Sequence, residues 1–186
     1  MALNSKGYEE NLYTKGCMRT NSGIYVNILN PTPDMFCIED IAHALSMIPR
    51  FGGHMPVWYS VADHSINCMG EAKLQGMSDE DSYACLMHDA SEAYISDIIS
   101  PVKREITQYY VIEDKIMRIL SKKFKFQYPL SENVKKIDCY MLEWEWQVMI
   151  GEFNLSRMSR SPQISKSIFL NSFKSFNQND KTNRTH

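Results

Sequence analysis

Several features that mark common protein classes are scarce or missing in this chain. It holds five cysteines, Cys17, Cys37, Cys68, Cys85 and Cys139, an odd number with no CxxC pair. That argues against a disulfide framework or a zinc knuckle, and leaves buried free thiols in a reducing cytosol as the expectation. No stretch approaches the roughly 18 consecutive apolar residues of a membrane span. The opening MALNSKGYEENLYTK has no apolar run of the secretory kind. A soluble, cytoplasmic protein with no membrane partner is expected. An excess of one charge is also missing: 20 Lys and Arg face 22 Asp and Glu, for a net charge of −2 and a pI near 6.2. A domain that coats a nucleic-acid polymer would be strongly basic, so no such partner is expected. A small anionic substrate needs only a local basic patch. No internal repeat is found.

What is present suffices for one domain of ordinary size: 186 residues, 44% of them hydrophobic. Residues 1–16 read as irregular. Asn21-Ser22-Gly23 is a turn signal, and Ile24, Val26 and Ile28 alternate with Tyr25, Asn27 and Leu29, which predicts a short β-hairpin within 17–30. Helical spacing follows. A first helix is expected over about 38–48, stopped by Pro49, and a Gly/Pro-rich loop over 50–56. A second is expected over about 57–74, with Val57, Val61, His64 and Cys68 on one stripe. A third, capped by Ser78, runs to just before Ser100-Pro101. A fourth covers about 106–123, and a fifth, capped by Ser131, runs to about Ile150. The fold class is therefore all-α, a bundle of five or six main helices behind a short N-terminal β-hairpin. The main domain is drawn at 1–155. Residues 156–186 form an extension with a weak helix near 165–176 and disorder over the last ten residues.

The chemistry concentrates on a few positions. In CLMHDASEAYISDIISPVK, His88, Asp89 and Glu92 fall on nearly one side of a helix otherwise rich in Ala, Leu, Met and Tyr. Charges in such a setting are costly unless paired or metal-bound. His64 lies on the apolar stripe of its helix, where the plain reading is a satisfied core histidine. Asp138 sits beside Ile137, where an unpaired carboxylate needs a cation; its plain alternative is an ion pair with Lys135 or Lys136. Together His64, His88, Asp89 and Asp138 can hold one divalent cation and leave positions open. The mixed N/O set suits Mn²⁺, Co²⁺, Zn²⁺, Fe²⁺ or Ni²⁺ better than Ca²⁺. His43 reads as structural. Trp144 and Trp146 with Glu143 and Glu145 read as a helix with one packed and one solvated side. Lys122, Lys123 and Lys125 read as a solvated helix end.

The order H…HD…D on successive helices resembles the HD-domain phosphohydrolase superfamily. The segments IAHALSMIPRFGGHMPVWYSVADHS and LMHDASEAYISDIISPVK, within about 37–151, resemble the compact 5′-deoxynucleotidases and their phage-encoded relatives, among them dATP triphosphohydrolases. The resemblance implies that His64, His88, Asp89 and Asp138 ligate the metal. Glu92 would activate or relay protons for the attacking water, and Asp97 would be a second acid near the scissile bond. Arg50 and Phe51 match an Arg-aromatic pair that holds phosphate and sugar or base; the nucleotidases generally carry Trp where this chain has Phe51. His54 and Lys103 are candidate phosphate contacts, with Arg104 nearby. The implied reaction is hydrolysis between the 5′ oxygen and the α-phosphorus of a deoxynucleotide. A dNTP releasing triphosphate is favoured over a dNMP releasing phosphate, and a homo-oligomer is implied. Alarmone hydrolysis is disfavoured, because Ser91-Glu92-Ala93 lacks the Glu-Asp of those relatives. A nucleotide-binding sensor is the alternative outside catalysis.

Overall fold

A computed structural model describes residues 16–151 and 159–182. The expected hairpin is there: β1 (Cys17–Arg19) and β2 (Tyr25–Asn27) pair antiparallel, with Met18 opposite Val26. Gly23 takes φ +94° in the connecting turn, a conformation that costs glycine little. The fully buried Val26 plugs the hairpin into the core. Its turn is tied down where the Ser22 amide and hydroxyl donate to Asp40 at 2.8 and 2.6 Å.

Asp40 belongs to α1 (Ile38–Met47), which ends before Pro49 as the sequence predicts. Arg50–Gly53 is a 3-10 turn rather than plain loop. The next helix, α2 (Val61–Leu74), begins four residues later than expected. Two causes are visible. Arg50 and Val61 donate backbone bonds to Tyr59 and Ile48, pairing Ser60 with Pro49 in an antiparallel bridge just before the helix. Ser60 then accepts the Asp63 amide while the Asp63 carboxylate accepts the Ser60 amide, a reciprocal cap that fixes the start.

The expected third helix is divided. α3 (Asp79–Met87) stops at His88, α4 (Glu92–Ile95) follows as a single turn, and α5 (Ser100–Lys103) is another. Between α3 and α4 the amides of Ala90, Glu92 and Tyr94 each reach back three residues, a tighter winding than the α-helix. Two long helices match their sequence signals: α6 (Thr107–Phe124), and α7 (Glu132–Met149) with Ser131 accepting the Val134 amide.

The weak helix expected near 165–176 is present and longer. α8 (Pro162–Thr182) is the longest helix described and packs against α1, α2 and α3. Phe169 is fully buried, and Ile168, Phe173 and Phe176 pack beside it. A polar composition concealed one apolar stripe. Of the last ten residues, 177–182 fall within the bounds of this helix, and 183–186, like 1–15, lie outside the described ones.

α2 is the hub of the bundle, packed against α1, α3, α7 and α8, and so carries its middle residues into the core. All five cysteines are free, but only Cys68 and Cys85 are buried; Cys139 is exposed and Cys17 and Cys37 are partly so. Among the described residues, no helix is long and apolar enough to cross a membrane.

Candidate metal centre and adjoining cavity

His64 comes from the first turn of α2, His88 and Asp89 from the break after α3, and Asp138 from the second turn of α7. Both imidazoles are buried. His64 Nε2 lies 3.2 Å from His88 Nε2 and 3.0 Å from Asp138 Oδ1. Asp89 Oδ2 lies 3.2 Å from His88 Nε2 and 3.7 Å from His64 Nε2, and His88 Nε2 lies 3.6 Å from Asp138 Oδ1.

The far side of each ring decides what these atoms are. His88 Nδ1 sits 2.7 Å from the Cys85 carbonyl, which can only accept, so Nδ1 carries the hydrogen. His64 Nδ1 sits 2.6 Å from Glu145 Oε1, with the same consequence. Both Nε2 atoms then present lone pairs to each other and to two carboxylates. Acceptors meet acceptors, and only a cation or added protons can relieve the clash. Donor atoms held about 2.1 Å from one ion are about 3.0–3.4 Å apart, close to the spacings seen here.

The electrostatics agree. Burial opposes charging His88, yet Asp89 and Asp138 push its pKa well above the ordinary value. Burial and Arg50 oppose a charge on His64, but Cys68, Glu145 and Asp138 together raise its pKa well above the ordinary value. Burial would raise the two acids, but the facing imidazoles hold Asp89 down to about 2 and Asp138 well below the carboxylate range.

Cys68, one turn after His64, has Sγ 3.5 Å from His64 Nε2. His64, Cys68, His88 and Asp138 each offer a ligand atom within 4.8 Å of one another, so this buried group can hold a metal ion. The sequence placed Cys68 on a packing stripe; its i+4 spacing from His64 was the available signal.

Glu145 is the residue sequence reasoning missed. It is fully buried whereas Trp146 is 52% exposed, while Trp144 packs on the core and Glu143 is exposed, so the helix has its packed and solvated sides but Glu145 lies on the packed one. Lying seven residues after Asp138, it shares that helix face. Besides His64 it accepts a 3.0 Å bond from Arg50 Nη2. Burial works against its charge, but His64 and Arg50 hold its pKa down to about 2.

Arg50 opens a second region. A cavity of about 510 Å³ is lined by Arg50, Phe51, Asp97, Arg104, Trp146 and Gln147 among others. The Arg50 guanidinium lies 5.6 Å from the Phe51 ring centroid and 3.6 Å from Asp97 Oδ2. Its Nε is buried without a partner. Two backbone outliers shape this wall. Phe51 has φ +52°, and Ser96 has φ +69° with ψ 158°, a region almost reserved for glycine. Tyr109 Oη donates to the Ser96 carbonyl at 2.7 Å, holding the turn that presents Asp97.

Glu92 is 4% exposed and its Oε2 has no partner. Burial first, then the charges of Asp89 and Asp97, raise its pKa well above the ordinary 4.5. Burial also raises Asp97, against the pull of Arg50.

The remaining predicted contacts stand apart. His54 is exposed at the end of the 3-10 turn, and Lys103 is engaged elsewhere, 2.8 Å from Glu113 Oε1 and 4.6 Å from the Tyr109 ring centroid. Neither lines the cavity, whereas Arg104 does.

No family model matches the chain. It is 38% identical over 128 residues to the uncharacterized protein YfdR of Escherichia coli, covering 69% of each chain. It is 34% identical over 124 residues to an uncharacterized protein of Rhodobacter capsulatus, covering 63% of each.

Proposed function

The chain belongs to the YfdR family, and from its site we propose that it is a metal-dependent deoxynucleotide phosphohydrolase of the HD-domain type. One observation carries this reading: two imidazole nitrogens and two carboxylate oxygens converge on a point that calls for positive charge, beside a cavity of about 510 Å³ whose wall holds a largely buried arginine. His64, His88, Asp89 and Asp138 would hold a divalent transition metal, with Mn²⁺, Co²⁺ or Zn²⁺ favoured over Fe²⁺ or Ni²⁺. Asp89 is preferred to Cys68 as the fourth ligand because its Oδ2 faces both Nε2 atoms and because carboxylate suits Mn²⁺ as well as the later metals. Such an ion, when bound, lowers the pKa of water and offsets phosphate charge.

The chain's own residues supply the rest. Arg50 offers planar donors to phosphate oxygens, and Phe51 an apolar face to sugar or base. Glu92, buried and disposed to hold a proton, can exchange one with water or with the departing 5′ oxygen. Asp97 shares the cavity wall and is the second acid. Water adds to the α-phosphorus, the bond to the 5′ oxygen breaks, and that oxygen takes a proton. A dNTP would yield deoxynucleoside and triphosphate; a dNMP would yield deoxynucleoside and phosphate. Arg104 on the wall supports the longer phosphate tail.

The test is a panel of dNMPs and dNTPs with Mn²⁺ or Co²⁺, followed by phosphorus NMR. Triphosphate from dNTPs is expected, and phosphate from dNMPs alone would select the monophosphate reading. Pyrophosphate would move the cleaved bond. Tight nucleotide binding without hydrolysis would replace the enzyme by a sensor.

A further inference from the structure

We infer that Glu145 is a positioning residue that fixes the tautomer and aim of His64 with one carboxylate oxygen and holds Arg50 at the cavity wall with the other. The inference rests on the reading of His64 as a metal ligand, and needs neither turnover nor a particular nucleotide.

A carboxylate with no exposed surface is costly unless both oxygens are served by strong donors. Here they are. Oε1 takes the His64 Nδ1 hydrogen at 2.6 Å and Oε2 takes Arg50 Nη2 at 3.0 Å. The first bond leaves Nε2 bare, and Nε2 is the atom turned toward His88, Asp89 and Asp138. A hydrogen-bonded carboxylate behind an imidazole also makes its other nitrogen a better donor to a cation. The second bond reaches a different region. Arg50 lines the cavity and leans on Phe51 and Asp97. The two arms of Glu145 therefore give the metal centre and the cavity wall a common support. α7 provides it from one face, with Asp138 entering the acceptor cluster and Glu145 standing behind it two turns later.

Glutamine at this position keeps the shape but halves the function. Its carbonyl can accept from His64 or from Arg50, and its NH₂ then opposes the remaining donor. The experiment titrates Mn²⁺ or Co²⁺ into the full chain and its Glu145→Gln variant by calorimetry, with a melting curve for each. Affinity weaker by about 10–100-fold is expected, the range seen when such supports are removed. A folded Glu145→Gln variant whose metal affinity stays within about twofold of the parent would overturn the inference. A second measurement needs no variant: long-range ¹H–¹⁵N spectra of the zinc-loaded parent protein should show His64 protonated at Nδ1 and bare at Nε2. The opposite tautomer would overturn it equally. If the weakened metal binding is found but no nucleotide is hydrolysed, the positioning role stands and the phosphohydrolase reading falls.

Discussion

Asp63 and His64 are neighbours in sequence, both fully buried, and they belong to two clusters of opposite character. Around Asp63 every lone pair has a donor. Oδ2 accepts the Ser60 amide and hydroxyl at 3.1 and 2.7 Å; Oδ1 accepts Arg160 Nη1 at 3.0 Å and Ser165 Oγ at 2.8 Å. That cluster closes on itself, caps α2 and fastens α8 to the bundle. One residue later, His64 Nε2 looks onto a nitrogen and two carboxylate oxygens that only a cation or added protons can reconcile. Burial and charge are common to both. The difference is balance: donors matched to acceptors make a joint, and a surplus of acceptors makes a binding site.

The largest effect expected within this contrast is on turnover. Glu92→Ala should lower kcat by about 10²–10⁴-fold while metal content, read by atomic emission, stays at the parent level. Retained activity would remove Glu92 from the chemistry and leave the acceptor cluster as a binding site only. Asp63→Ala attacks the closed cluster instead. It strands Arg160 and should cost about 3 kcal/mol, a fall in melting temperature of about 6–12 °C for a chain of this size, again with unchanged metal content per folded molecule. Lost metal binding in that variant would merge the two clusters into one.

The acids nearest the open cluster also set a pH dependence. In the fold Glu92 keeps its proton above the pH of 4.5 at which an exposed glutamate releases it. Unfolding therefore releases a proton, and the metal-free protein should lose stability as pH rises above that point, by about 1.4 kcal/mol per pH unit while the folded state retains the proton. Glu92→Gln should raise the melting temperature at pH 8 and leave it unchanged near pH 4; equal gains at both would show that ionisation is not the cause. The smallest effect concerns strain. Ser96→Gly relieves the φ +69° backbone beside Asp97 and should add about 1 kcal/mol of stability. A loss in chemical denaturation would mean that the Tyr109 bond fully compensates the turn.

Much of this architecture was legible from residues alone. The hairpin with its turn at Gly23, the caps at Ser78 and Ser131 and the stop at Pro49 follow from local chemistry, and local chemistry is what a sequence states directly. His64 and Asp138 were visible as polar groups on apolar faces. Other features were not, for identifiable reasons. The helix carrying His88 reads as continuous, because nothing in HDAS breaks a helix by propensity; the winding changes at the point where the His88 ring bonds back to the Cys85 carbonyl. Glu145 sits between two tryptophans, and helical period alone does not say which of three large neighbours faces inward. Its partners, at positions 50 and 64, are remote in sequence. α8 was underestimated because Ser, Asn and Lys dominate its composition, whereas its stability comes from Phe169 and Phe173 meeting other helices.

The surplus of acceptors at His64, His88, Asp89 and Asp138 is the centre of the account, and titration of the purified, chelator-stripped chain with Mn²⁺, Co²⁺ or Zn²⁺ tests it most directly. The parent should take up one ion per chain and gain about 2.7 kcal/mol at a hundredfold excess over Kd. Asp63→Ala should still bind, and Asp138→Ala should not. Failure of the parent to bind any of the three ions, or undiminished binding by Asp138→Ala, would contradict it.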